Sequence, residues 1–263
     1  MQRYFIKLSY DGTNYHGWQS QDNAITIQSE VEKAMSTLLA RQIEVTGAGR
    51  TDTGVHAREF YAHFDVDNSF DNDELHDLIY RLNAILPSDI SIYGILPVSK
   101  NAHARFSAIS RTYKYYISRN KDPFAKDYSW CVYGNLNIEA MNNAAKILFE
   151  SSTCVTDFTS FSKLHSNTDN NNCKIFKAGW KEENLPTGKA GNMLVFTITA
   201  DRFLRNMVRA IAGTLLDIGR GKITTDDFRK IIESKNRCDA GYSVPAKGLF
   251  LDKIEYPNDL FLN

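Results

Sequence analysis

Apolar residues along this chain change period in the order strand, helix, strand, strand, helix, strand, and then do so a second time. This order limits the fold more than any single residue does, because a two-residue period and a helical period need different elements. In the first pass, residues 2–10 put Tyr4, Ile6 and Leu8 on one side of a strand, and 26–40 carry Ile27, Val31, Met35, Leu38 and Leu39 at helical spacing. A strand over 42–48 follows, then one over 58–66 in which Phe60, Ala62, Phe64 and Val66 alternate with Tyr61, His63 and Asp65. A helix over 73–85 presents Leu75, Leu78, Ile79 and Leu82 before Pro87 stops it, and a strand over 90–97 closes the set. The second pass reads as a strand at 111–119, a helix at 137–149, strands near 173–182 and 193–200, helices at 203–219 and 225–235, and a strand at 247–255.

Two tandem βαββαβ units of the ferredoxin-like kind account for this order, one over 1–103 and one over 104–263. The fold class is α+β, with a mostly antiparallel sheet and helices on one face, since hairpins dominate the connections. The stretch 165–173, HSNTDNNNC, is polar and has no apolar period, so it reads as a mobile loop.

A chain of 263 residues that is 43% hydrophobic can bury a large core. Lys plus Arg and Asp plus Glu balance at 31 each, so any nucleic-acid contact has to come from local patches. Two segments qualify: 104–120 holds Arg105, Arg111, Lys114 and Arg119 without an acid, and 202–222 holds Arg202, Arg205, Arg209, Arg220 and Lys222 against Asp217. The plain alternative for each is a solvated face. Cys131, Cys154, Cys173 and Cys238 form no C-x-x-C, which points to reduced, mostly buried thiols rather than zinc ligands or a disulfide framework. The N-terminus enters a strand directly, and no apolar run approaches the ~20 residues that span a bilayer, so no membrane and a cytoplasmic location are expected.

The chemistry concentrates in 45–57, VTGAGRTDTGVHA. A dinucleotide fingerprint needs a glycine where Asp52 stands, and a carboxylate there would repel a pyrophosphate; no P-loop pattern occurs either, so no nucleotide cofactor is expected. The glycines instead supply positive φ and close backbone approach, displaying Asp52 on a tight loop. Arg50, two residues earlier, falls on the same face in extended chain and would keep the carboxylate ionised, fit to act as nucleophile or base. A turn with a surface ion pair is the bland reading of the same residues.

Further blocks accompany that loop. They are YDGTNYHGWQ at 10–19, ARFSAISRTYKYYI at 104–117, DFTSF at 157–161, FLRNMVRAIAGTLLDIG at 203–219 and AKGLFLDKIEYP at 246–257. Together with GRTDTGVHA, and in this order, they resemble the tRNA pseudouridine synthase A family. The resemblance implies the pseudouridine synthase fold, with the two halves joining one continuous mixed sheet around a central cleft. It also implies isomerisation of uridine to pseudouridine at positions 38, 39 and 40 of the tRNA anticodon stem-loop, by a homodimer across which one tRNA lies. No atom is gained or lost in that reaction, so no cofactor and no metal are expected.

On this resemblance Asp52 is the catalytic carboxylate, acting at ribose C1′, at uracil C6 or in an elimination across C1′ and C2′. Tyr113 stacks on the target uracil and has a hydroxyl suited to proton transfer; strand alternation sets it on one side with Tyr115 and Ile117. Arg209 matches the arginine that pairs with the catalytic Asp, and its place near an apolar helix face asks for such a partner. Arg50 then matches the arginine that displaces and holds the flipped nucleotide region, and Leu249 an apolar residue of the uracil pocket. Without the family, Tyr113 and Leu249 read as structural, and His16, Trp18 and His56 stay outside the catalytic set. Lys174 stands where the family usually has arginine. Two rivals remain: a noncatalytic RNA-binding module, although no RNP1-type run occurs, and a hydrolase, although Asp52 has no second carboxylate in motif context.

Overall fold

The computed structural model describes residues 1–150, 156–163, 170–183 and 193–262. Its elements in chain order are β1 (Gln2–Tyr10), α1 (Ile27–Leu39), β2 (Thr46–Gly47), β3 (His56–Val66), α2 (Asn72–Ile85), β4 (Ile90–Val98), β5 (Ser110–Ser118), β6 (Trp130–Cys131) and α3 (Ile138–Ile147). They continue with β7 (Thr156–Asp157), β8 (Asn172–Cys173), β9 (Ile175–Glu183), β10 (Met193–Ala200), α4 (Met207–Gly219), α5 (Thr225–Ser234) and β11 (Leu249–Glu255). The class is α+β, with antiparallel pairing predominant. Among the described residues no helix is long and apolar enough to cross a membrane.

The chain forms two compact units, Met1–Ile109 with Leu251–Asn263, and Ser110–Phe250. In the first, β1 lies between β3 and β4, antiparallel to both. β2 adds to β3 through Thr46↔His63 and Gly47↔Ala62, so the strand order β4-β1-β3-β2 is that of a split βαβ unit. α1 is set by its sequence at both ends: Thr26 caps it in a capping box with Ser29, and Ala40 closes it in the left-handed region. Its face of Ile27, Val31 and Met35 is fully buried. α2 starts from a second capping box, Asp71 with Glu74, and packs against α1 and β4.

The first unit runs to Ile109 and takes in the C-terminal tail. The Tyr256 ring meets those of Phe5 at 5.2 Å and Tyr61 at 5.1 Å, and its hydroxyl donates to the Ala104 carbonyl. Ile254 N–H donates to Glu59 Oε1 at 3.0 Å, and Leu262 N–H to the Pro97 carbonyl at 2.9 Å. The strand expected over 42–48 shrinks to Thr46–Gly47. Side chains of α1 take its backbone groups instead: Ser36 Oγ accepts Ile43 N–H, Glu32 Oε1 accepts Val45 N–H, and Gln28 donates to the Val45 carbonyl.

In the second unit, β10 is antiparallel to β5 on one side and to β9 on the other, and β6 runs parallel to β5. α4 is its central helix, buried at all but a few positions. Gly213 lets the chain at Tyr242 approach: a Cβ there would stand 1.9 Å from the Tyr242 carbonyl oxygen. The helix expected from 203 starts at Met207, since Asn206 takes a left-handed φ of 68° that a helix cannot continue through. Within the stretch expected as a loop, 165–169 lies outside the described residues. Its end is ordered, with Asn172–Cys173 pairing antiparallel to Thr156–Asp157. Of the described cysteines only Cys173 is buried, and burial pushes its thiol up to about 12; Cys131 is half-buried and Cys238 exposed.

Candidate active site

The first unit builds the Asp52 loop against the segment that carries YDGTNYHGWQ. Tyr10 Oη and Thr51 Oγ1 lie 3.0 Å apart in a buried hydrogen bond, Trp18 N–H donates to the Thr51 carbonyl at 3.3 Å, and Gly54 N–H donates to the Tyr15 carbonyl at 3.3 Å. Gly12 N–H donates to His56 Nδ1 at 3.1 Å, and Asp11 Oδ1 lies 3.0 Å from the same nitrogen. Thr51 and Val55, which flank the carboxylate-bearing turn, are thus buried and fixed, while Asp52 stays half-exposed. Val55 N–H closes the turn onto the Asp52 carbonyl at 3.1 Å.

The glycines of the loop differ in what they do. Gly54 has φ +74°, and a Cβ on Gly47 would stand 2.4 Å from Trp18 Nε1. Gly49 shows neither feature. Trp18 fills the space under the loop, its ring 4.1 Å from Phe60 by centroid. The tyrosine at 15 is anchored in turn by its hydroxyl, which donates to Asp89; burial first, and then that carboxylate, hold its phenol above the ordinary range. Sequence reasoning set aside Trp18 and His56 and missed Asp11, Gly12, Tyr15 and Gly17 as supports. The available signal was their place in a motif block that begins at the end of β1.

Arg50 is exposed on the same unit. Tyr113, Arg209 and Leu249 belong to the second unit. Tyr113 lies on β5 opposite Ile198 and is half-buried, with its ring edge-on to Phe203 at 5.1 Å and 88°. Tyr115 and Ile117, on the same side by alternation, are fully buried. Arg209, on α4, donates from Nε to the Val244 carbonyl at 2.7 Å, and Val244 N–H donates back to the Arg209 carbonyl at 3.2 Å. The next carbonyl, Pro245, accepts the Tyr115 hydroxyl at 2.9 Å. Adjacent carbonyls of one loop therefore hold the helix of Arg209 and the strand of Tyr113. Arg237 braces that loop through the Gly241 carbonyl and Ser243 Oγ. Leu249 is buried at the start of β11.

Several cations of the two basic segments are engaged within the second unit. Arg111 donates to the Asp201 carbonyl, Lys114 lies 3.7 Å from Glu183, and Lys222 lies 3.0 Å from Asp217. Arg105 and Arg205 are exposed. Among the described residues no group of three or more His, Cys, Asp or Glu is arranged to hold a metal ion.

The first unit thus presents Asp52, half-exposed, on a turn held at Thr51, Gly54 and Val55. Comparison with known proteins gives the family. A family model described as tRNA pseudouridine synthase matches residues 155–257. The chain is 54% identical over 262 residues to tRNA pseudouridine synthase A of Bacteroides thetaiotaomicron, covering 99% of this chain and 93% of that one. It is 51% identical over 264 residues to tRNA pseudouridine synthase A of Parabacteroides distasonis, covering 99% and 98%. The protein of that name from Clostridium acetobutylicum is 38% identical over 258 residues, covering 97% and 100%. Identity at this level from end to end shows that the chain belongs to the tRNA pseudouridine synthase A family.

Proposed function

We propose that this enzyme, a tRNA uridine isomerase, acts at positions 38, 39 and 40 of the anticodon stem-loop with Asp52 as its catalytic carboxylate. The reaction breaks the bond from ribose C1′ to uracil N1, turns the base and forms the bond from C1′ to C5; C5 loses a proton and N1 gains one. Asp52 attacks C1′ or C6, or assists elimination across C1′ and C2′. Tyr113 stacks on the loosened uracil and takes the C5 proton, Arg209 orients the carboxylate, Arg50 holds the displaced nucleotide, and Leu249 lines the uracil pocket. Extraction of a stacked base costs a few kcal/mol, which stacking on an aromatic ring offsets in part, at ~1–3 kcal/mol per base.

The observation that carries this reading is the bracing of the Asp52 turn at Thr51, Gly54 and His56 by the 10–18 segment, which leaves a fixed carboxylate half-exposed. The chain works on tRNA as a homodimer in the cytoplasm. Incubation with unmodified tRNA transcript, followed by mapping of pseudouridine, tests the positions. Asp52→Asn keeps the shape and loses the nucleophile or base, so turnover should vanish while tRNA affinity stays within a few fold. Turnover above about one hundredth of wild type removes Asp52 from its role. A noncatalytic RNA-binding module would bind the transcript and leave it unmodified.

A further inference from the structure

Phe106 is 74% exposed, yet the loop that carries it is closely held. His103 N–H donates to Ser107 Oγ at 3.0 Å and Ser107 N–H returns to the His103 carbonyl at 2.9 Å. His103 Nδ1 accepts the N–H groups of Arg105 at 3.1 Å and Phe106 at 3.4 Å. The rings continue inward. Phe106 lies 4.4 Å from His103, His103 lies edge-on to His63 at 4.6 Å, and buried His63 accepts Ala104 N–H at 3.2 Å. Arg105 Cζ is 5.5 Å from the centre of the Phe106 ring. Burial first, and then Arg3, keep both imidazoles below the ordinary histidine range, so His103 offers a free lone pair to its own loop at neutral pH.

We propose that Phe106, with Arg105 beside it, is a stacking platform for an unpaired base of the bound tRNA, separate from the residues assigned to the isomerisation. This inference rests on the tRNA reading above. A ring left in water gains nothing for the fold, whereas a ring backed by other rings and held by its own loop can receive a base without being ordered first. The charge selects the partner. From Lys100 to Ile109, the part of this stretch in the first unit, the chain contains no Asp or Glu, which suits a polyanion. A second copy of this chain docking by the same face would set Arg105 and its neighbours against their own like charges.

The test is binding of the full chain to unmodified tRNA transcript, for wild type, Phe106→Leu, Phe106→Trp and Arg105→Ala. The leucine variant should lose about tenfold in affinity, within the roughly 5- to 150-fold span expected for one stacked base. The tryptophan variant should stay within about threefold of wild type, since any flat ring serves. Arg105→Ala should lose less and reduce the slope of log affinity against log salt by about one. Thermal melting should not move in any of them. Wild-type affinity in the leucine variant overturns the platform, as does an equal loss in the tryptophan variant. A melting shift in the leucine variant would make the ring structural, and a change of oligomeric state with unchanged affinity would give the face to a second copy; each overturns the proposal. If wild type leaves the transcript unmodified, the isomerase reading fails by itself, and the binding arms still decide the platform.

Discussion

Gly12 lies so close to Val55 that a Cβ on it would stand 2.0 Å from the Val55 carbonyl oxygen. The contact makes one object of two sequence blocks, because Val55 closes the turn of Asp52 and Gly12 begins the segment that turns around it. Gly17 repeats the contact from the other side, with a Cβ position 2.3 Å from the Thr51 carbonyl oxygen and φ +89°. The turn that carries Asp52 is held by backbone, and its position depends on residues some forty places earlier in the chain.

Gly17→Ala tests that dependence. Alanine is opposed twice, by the left-handed backbone at roughly 1–2 kcal/mol and by the overlap with Thr51, so the loop has to shift. Single-turnover pseudouridine formation should fall at least tenfold, with tRNA affinity within a few fold and a lower melting temperature. Wild-type turnover in a folded alanine variant would show that the aim of Asp52 does not depend on this approach.

His56 is 1% exposed and answers the Gly12 N–H from inside the same object. Leucine there leaves a buried donor unmet, at about 1–3 kcal/mol, and should lower both melting temperature and turnover. Asparagine sets a polar amide atom near the place of Nδ1 and should restore most of both. An asparagine variant as poor as leucine would make the imidazole ring itself, rather than its hydrogen bond, the necessary part.

How much of this was legible in the sequence depended on where backbone partners come from. The limits of α1 were readable to within a residue, about 26–40 against Ile27–Leu39, because its apolar residues keep helical spacing. The strand over 42–48 was misjudged because its β-forming residues give their backbone groups to Ser36, Glu32 and Gln28, which periodicity does not register. The apolar pattern of 203–219 runs past Asn206, so the late start of α4 was invisible to it. Asp52, Tyr113 and Arg209 are proposed from their blocks alone. The block at 10–19 marked Gly12, Tyr15 and Gly17 but not their role as supports, since that role is a contact between distant segments. The return of the C-terminal tail to the first unit is of the same kind.

Acid should weaken the first unit through His63. Its folded-state value is lowered to about 4, chiefly by burial, from 6.5. The unfolded chain therefore binds the proton more readily between these values, and stability falls as pH drops from about 6.5 to 4 and levels off for this group below that. The span corresponds to about 1–3 kcal/mol. His63→Asn can still accept the Ala104 N–H and does not titrate, so its urea midpoint should fall less than that of wild type between pH 7 and 5. Equal falls would show that carboxylates, such as Asp65 in its pair with Arg3, carry the whole acid response.

Tyr113 allows stacking and proton transfer to be separated, because phenylalanine keeps the ring and its edge contact with Phe203 while removing the hydroxyl. If Asp52 starts the reaction and Tyr113 finishes it, Tyr113→Phe should still take up the uridine and fail to release the C5 proton. Transcript carrying tritium at C5 would then show little release by this variant, with binding near wild type. Tyr113→Leu should in addition weaken binding by about 1–3 kcal/mol, the span for one stacked base. Full tritium release by the phenylalanine variant would leave Tyr113 only its stacking role. The proton would then go to Asp52, whose place on a braced turn lets it serve twice, or to a water.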